Sequence, residues 1–157
     1  MKYHIYREQQ LNCEIDAAWN FFASPGNLSR ITPQEMKFKV VSELPVENIF
    51  PGMEINYTLS PLFGIPVKWT TRITQVDFQK SFTDLQDKGP YKYWNHHHEF
   101  VINKNGVLMK DTVDYELPFG ILGRIVNALI VKRKLNDLFN YRSTVITKLF
   151  QQNEHVL

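Results

Sequence analysis

Apolar residues recur at helical spacing across Gly120 to Phe150, as Ile121, Ile125, Ala128, Val131, Leu135, Leu138, Phe139, Val145, Ile146 and Leu149. This is the i, i+3, i+4, i+7 pattern of one helix face. A helix of about 28 residues would be roughly 42 Å long at 1.5 Å per residue, enough to cross a whole small domain. Pro118 marks where the preceding strand must stop. Two features depart from a simple amphipathic helix. Arg142 falls in the middle of the apolar face, and Leu122, Val126 and Leu129 form a second stripe on the opposite side. One sheet cannot cover both faces, so the second stripe calls for another contact.

Upstream the period changes from helical to alternating. Residues 2–11 read as a first strand, although Arg7-Glu8-Gln9-Gln10 blurs the alternation. Glu14 to Ala23 reads as a short helix capped at Asn12 or Cys13, with Ile15, Ala18, Trp19 and Phe22 on one face. After the Ser24-Pro25-Gly26-Asn27 break, one or two turns are expected at Leu28 to Ile31. Six strands then follow at Met36–Ser42, Met53–Leu59, Val67–Val76, Ser81–Asp87, Tyr91–Asn103 and Val107–Leu117. The connections carry Pro, Gly and Asn-Gly, as turns require. Strand, two short helices, six antiparallel strands and a long helix make an α+β layer architecture.

The Asn105-Gly106 pair predicts a two-residue hairpin loop. It sets Lys104 opposite Val107, Phe100 opposite Asp111, His98 opposite Val113 and His96 opposite Tyr115. One face of the hairpin then carries Trp94, His96, His98, Phe100, Ile102, Met109, Asp111, Val113, Tyr115 and Leu117, and is expected to meet the long helix. His97 and Lys110 belong to the solvent face. The same alternation turns Tyr57 and Trp69 inward.

At 157 residues, with 43% hydrophobic and 22% charged, the chain reads as one globular domain over residues 1–157. The net charge of +2 and the absence of basic runs interleaved with aromatics argue against nucleic acid. Cys13 is the only cysteine, which excludes an internal disulfide and a cysteine zinc site. The amino terminus has no apolar signal region and no run is long enough to span a membrane, so a cytoplasmic location is the expectation. No Gly-rich phosphate loop, dinucleotide fingerprint or G-x-S-x-G elbow is present. No cofactor is therefore expected.

Several segments together resemble a START-like domain of the SRPBCC superfamily. They are Trp19-Asn20-Phe21-Phe22 with Pro25-Gly26-Asn27-Leu28, Phe63-Gly64-Ile65-Pro66 with Trp69, Gly89-Pro90-Tyr91 with Trp94 to His98, Leu117-Pro118-Phe119-Gly120, and Phe139-Asn140-Tyr141-Arg142. The nearest likeness is to small bacterial ligand-binding SRPBCC proteins, described as polyketide cyclase-like and sometimes labelled cell-division inhibitors. The resemblance implies a helix-grip: a seven-stranded antiparallel sheet curled around the carboxyl-terminal helix, with a deep cavity between them. It implies an apolar ligand such as a lipid or polyketide, and fold alone does not decide between carriage and catalysis.

The polar residues on the inner face carry the chemistry. His96 and His98 share a face with Cα atoms roughly 6.6 Å apart. With Asp111 they could serve as metal ligands, or they could hydrogen-bond among Tyr115, Asp111 and water; the second reading is preferred, and no metal is expected. Asp111 and Arg142 each interrupt an apolar face and each needs a partner. Arg142 is expected to meet Asp111, or Asp84 next, or else to offer its fork to a ligand carboxylate or phenolate. The expected ligand site comprises Tyr57, Trp69, Trp94, His96, His98, Phe100, Asp111, Tyr115, Leu138, Phe139 and Arg142. The alternatives to ligand binding are a cyclase or dehydratase with His96 or His98 as general base oriented by Asp111, and a protein-interaction role. The stripe of Leu122, Val126 and Leu129 is expected to form a homodimer contact, in preference to a membrane contact or to local cover by the apolar Pro61-Leu62-Phe63-Gly64-Ile65-Pro66 loop.

Overall fold

The alternating segments pair into one antiparallel sheet. Its strands are β1 (Tyr3–Leu11), β2 (Lys39–Val40), β3 (Glu54–Leu62), β4 (Ile65–Asp77), β5 (Ser81–Lys88), β6 (Tyr93–Asn103) and β7 (Gly106–Glu116). The spatial order is β1-β7-β6-β5-β4-β3-β2. The computed structural model describes residues 1–43, 48–62 and 64–151, with Leu62 described by its backbone alone. Register shifts between Leu59 and Leu62, between Thr70 and Thr71, and between Ile73 and Gln75 bend β3 and β4. The result is a curled seven-stranded sheet around a carboxyl-terminal helix, the helix-grip architecture.

Two expected elements are shorter or differently capped. The strand expected at Met36–Ser42 reduces to β2, because a 3₁₀ turn at Gln34–Met36 ends with Lys37 in the left-handed region at φ 48°. The first helix, α1 (Ile15–Phe22), is preceded by Glu14 as its cap residue, not Asn12 or Cys13, and no side chain caps it. A second 3₁₀ segment spans Pro25–Ile31. α1 buries Ala18 and Trp19, and the indole sits edge-on to Phe78, Phe82 and Phe100 at 5.5, 6.0 and 5.9 Å. Edge-to-face pairs of this kind add to the gain from burial, itself roughly 1.5–3 kcal/mol for a large apolar side chain.

The hairpin register differs from the expected one by two residues. The pairs are Ile102 with Val107, Phe100 with Met109, His98 with Asp111, His96 with Val113 and Trp94 with Tyr115. The turn residues are Lys104 and Asn105, and Gly106 opens β7 at φ 111°. A Cβ there would stand 2.4 Å from the Leu11 carbonyl, so only glycine fits. A slip of two keeps every side chain on its expected face while changing every partner. Ile102, expected inside, is exposed. β5 starts at Ser81 opposite Glu99, so no strand flanks Ile102 on that side.

The long helix is not one regular helix. It consists of α2 (Gly120–Val126), a π turn (Asn127–Val131) and α3 (Lys132–Gln151). The π turn rotates everything before it. At 100° per residue Gly123 would lie about 160° from Phe139, yet both are buried, as are Asn127, Val131 and Leu135. Ile121, Ile125 and Ala128, assigned from periodicity to the buried face, are exposed instead. Gly123 lies against the Pro118 carbonyl, where a Cβ would approach to 2.1 Å.

Candidate functional site

Three neighbouring strands and α3 build a buried polar cluster. Register places Asp84 directly across from His96, and Asp111 directly across from His98. Each acid therefore also sits diagonal to the other histidine, close enough for both contacts. His96 Nε2 lies 2.9 Å from Asp111 Oδ1, and its Nδ1 lies 3.9 Å from Asp84 Oδ2. His98 Nε2 lies 3.1 Å from Asp84 Oδ2. His98 Nδ1 is 2.8 Å from Asp111 Oδ1 but out of line for a hydrogen bond. The two imidazoles lie 3.8 Å apart, and Phe82 stacks on His98 at 4.2 Å.

This arrangement splits the behaviour of the two histidines. Burial lowers the pKa of His96, and the neighbouring His98 lowers it further, against Asp111. Burial also opposes charge on His98, yet Asp111 and Asp84 overcome it and push the value up to about 9. Burial would raise Asp111, but the two histidines hold its carboxyl well below the usual range. His98 is thus the cation of the cluster, and His96 the neutral partner.

Arg142 reaches the same place from α3. Its guanidinium lies over the Phe139 ring at 5.6 Å, and its charge is felt by Asp111, Tyr57 and Asp84. Burial lowers its pKa. Among the described residues it makes no ion pair, contrary to the expected bond with Asp111 or Asp84. The histidines already occupy those carboxylates. The Nε of Arg142 is buried without a hydrogen-bond partner.

Beside the cluster lies a cavity of about 250 Å³. Phe21, Phe22, Leu28, Ile55, Ile73, Met109 and Ile146 supply apolar wall, and Arg7, Asp84, His96, His98, Asp111 and Arg142 converge on it. Of the residues expected at a ligand site, Tyr57, His96, His98, Asp111, Phe139 and Arg142 line this space. Trp69, Trp94 and Tyr115 do not. They pack with Tyr91, Val131 and Leu135 as an aromatic core segment beside it. Within it the Trp69 Nε1 donates to Thr71 Oγ1 at 3.0 Å, and the Tyr115 hydroxyl donates to Asn127 of the π turn at 2.8 Å. Phe100 belongs to the core around Trp19.

Leu138 lines a different space, a groove of about 680 Å³ formed with Pro61, Tyr91, Pro118, Phe119, Leu122, Val126 and Tyr141. The apolar Pro61 to Pro66 loop was one candidate cover for the helix stripe. Phe63 lies outside the described residues, and Leu122 and Leu129 are 61% and 71% exposed.

Arg7 and Asp84 were not among the expected ligand-site residues. Alternation alone could have found both, since Arg7 shares a face with Tyr3 and Ile5, and Asp84 with Phe82. Asp84, His96 and His98 each offer one donor atom within 4.8 Å of the others, a spacing a metal ion could use. The positive charge of Arg142 opposes a cation there.

No family model matches the chain, and no curated protein matches it. Solved structures do. A norcoclaurine synthase point mutant from Thalictrum flavum, in complex with a transition-state analogue, is 17% identical, with 98% of this chain and 97% of that chain covered and a TM-score of 0.68. The major latex-like protein of Panax ginseng is 15% identical over 96% of this chain and 98% of its own, with a TM-score of 0.68. A protein of Nitrosomonas europaea is 13% identical over 96% of both chains, with a TM-score of 0.69. At these identities the likeness establishes the fold. The chain shares the helix-grip fold of these structures, the architecture that the sequence resemblance to START-like domains implied. No helix among the described residues is long and apolar enough to cross a membrane.

Proposed function

We propose that the protein binds a small, mostly apolar molecule in the cavity between the sheet and α3. The observation that carries this reading is the composition of the cavity wall: apolar over most of its extent, with a few charged groups of the sheet and α3 converging on it. At ~30 Å³ per water in the liquid, the space would hold about eight waters, which suits a ligand of the size of a short lipid or a small aromatic.

Catalysis by a cyclase or dehydratase is the second reading. The 2.9 Å contact between His96 and Asp111 favours it, because a carboxylate-oriented neutral imidazole is the usual form of a general base. It ranks second because all four ring nitrogens of His96 and His98 face Asp84 or Asp111. None is left turned toward a substrate.

Solvent extraction of the purified protein, followed by mass spectrometry, tests the binding reading. One apolar species recovered in near-stoichiometric amount, and lost when Ile73→Glu charges the wall, is the expected result. An empty extract, together with no heat of binding for any medium-chain or bicyclic aromatic probe, would remove the proposal. Conversion of an added probe, abolished by His96→Ala, would instead establish catalysis.

A further inference from the structure

The cavity wall contains two arginines, and among the described residues neither is matched by a carboxylate. Arg7 projects from β1, and its Cα is paired in register with that of Asp111. Its Nη2 donates to Asn136 Oδ1 of α3 at 2.8 Å, a neutral acceptor, and its Nε is buried without a partner. Arg142, from the opposite side, also leaves its Nε buried and unbonded. A buried charged donor left unsatisfied costs more than a neutral one, and each guanidinium has fork geometry suited to a planar anion. Meanwhile both carboxylates that could have answered them, Asp84 and Asp111, are engaged by the histidines.

The buried donors point the same way. Glu8, the remaining carboxylate of the lining, is exposed and bonded to the Tyr6 hydroxyl, so it answers neither arginine. A neutral ligand would leave both buried guanidinium Nε donors without a charged acceptor, and an anion would supply one.

Resting on the reading of this space as a ligand cavity, we propose that its ligand is an amphipathic monoanion, a carboxylate whose head group lies between Arg7 and Arg142 with its apolar body against Phe21, Phe22 and Ile73. The guanidinium donors bind the carboxylate oxygens, and the Asp–His quartet stands behind them as a fixed wall that keeps Asp84 and Asp111 from closing on the arginines.

The test compares two probes of one shape that differ in charge, octanoate and octanamide, by calorimetric titration of the full chain. The wild-type protein should bind octanoate about tenfold or more tightly than octanamide, the factor that 1.4 kcal/mol represents. Arg142→Gln should bring the two affinities within about threefold by weakening octanoate alone. Arg142→Lys, which keeps the charge and loses the fork, should retain part of the preference, and Arg7→Gln should lose part of it. Thermal melts of each variant confirm that the compared proteins are folded. If octanoate and octanamide bind equally to the wild type, or if Arg142→Gln keeps the full preference, the anion assignment is wrong while the cavity reading stands. If neither probe binds the wild type, both fall together.

Discussion

The two ends of the carboxyl-terminal helix invert the usual rule of apolar inside and polar outside, in opposite senses. Around α3 the enclosed space carries Asp84, His96, His98, Asp111 and Arg142. Around α2 the open surface carries Phe119, Ile121, Leu122, Ile125 and Leu129, with Phe119 80% exposed. Buried charges cost free energy unless they are paired, and exposed apolar patches are rare on monomers. At the first end the two acids and two histidines answer one another through four carboxylate–imidazole contacts, and Arg142 stands beside them unpaired among the described residues. Among the described residues the second has no such answer. The contrast teaches that one end is a closed electrostatic unit whose members depend on one another. The other end is a set of side chains on which the fold does not depend.

The sharpest way to break that comparison is to remove one member of the closed unit. Asp111→Ala leaves two imidazoles and, within its field, Arg142 without their shared acid. Breaking a buried pair by deleting one partner costs roughly 3–5 kcal/mol. Urea unfolding should show a loss of that order. Arg142→Leu, which removes a charge that bonds no carboxylate, should cost clearly less. Equal losses for the two variants would mean that Arg142 is as integral to the quartet as Asp111.

A smaller effect follows from the proton on His98. Its folded pKa, about 9, stands above the ordinary 6.5. The raised value means that its stabilisation is complete below pH 6.5 and disappears as pH rises through 9. The shift corresponds to roughly 3 kcal/mol. Between pH 7 and pH 10 the wild type should lose stability by that order, and His98→Asn should lose much less over the same interval. Asp111, held low, contributes in the other direction: its share is present above about pH 4 and falls away on acidification. His96, whose pKa is lowered, gives no stability on the alkaline side. A flat stability profile between pH 7 and pH 10 would show that His98 is neutral in the folded protein.

How far the sequence revealed these two ends follows from what a periodic pattern can carry. Alternation assigned His96, His98, Asp111 and Tyr115 to the inner face, and they lie there, because strand faces depend only on parity. The same parity is blind to a slip of two, so His98 was matched with Val113 when its partner is Asp111. Arg142 was singled out as a charge in an apolar stripe, but its expected ion pair is absent, since no periodicity shows that the histidines claim both acids. Asp84 entered only as a partner for Arg142, and Arg7 only as a blur in β1. The residues of α2 were misassigned for a different reason. Their phase was extrapolated at 100° per residue, and the π turn at Asn127–Val131 breaks that phase without any Gly or Pro to announce it. The buried Asn127, whose amide oxygen accepts the Tyr115 hydroxyl, was its one available sign.

The smallest expected effect is at the open end. Leu122 and Leu129 are mostly exposed, so Leu122→Glu with Leu129→Glu removes little buried area, and surface changes of this kind stay within about 0.5 kcal/mol. Val126 is the wrong position for this test. It is half-buried and packs against the cluster of Trp94, Tyr115 and Leu135, so a charge there would disturb the core. Urea unfolding of the double variant should therefore superimpose on the wild type. Gel filtration of the same pair then reads the contact expected of this stripe without interference from folding. A shift from dimer to monomer volume would assign the exposed leucines to self-association, and an unchanged volume would remove the homodimer expectation. A loss above about 2 kcal/mol would place both side chains in core-like packing. The two ends of the helix would then not differ in the way their exposure implies.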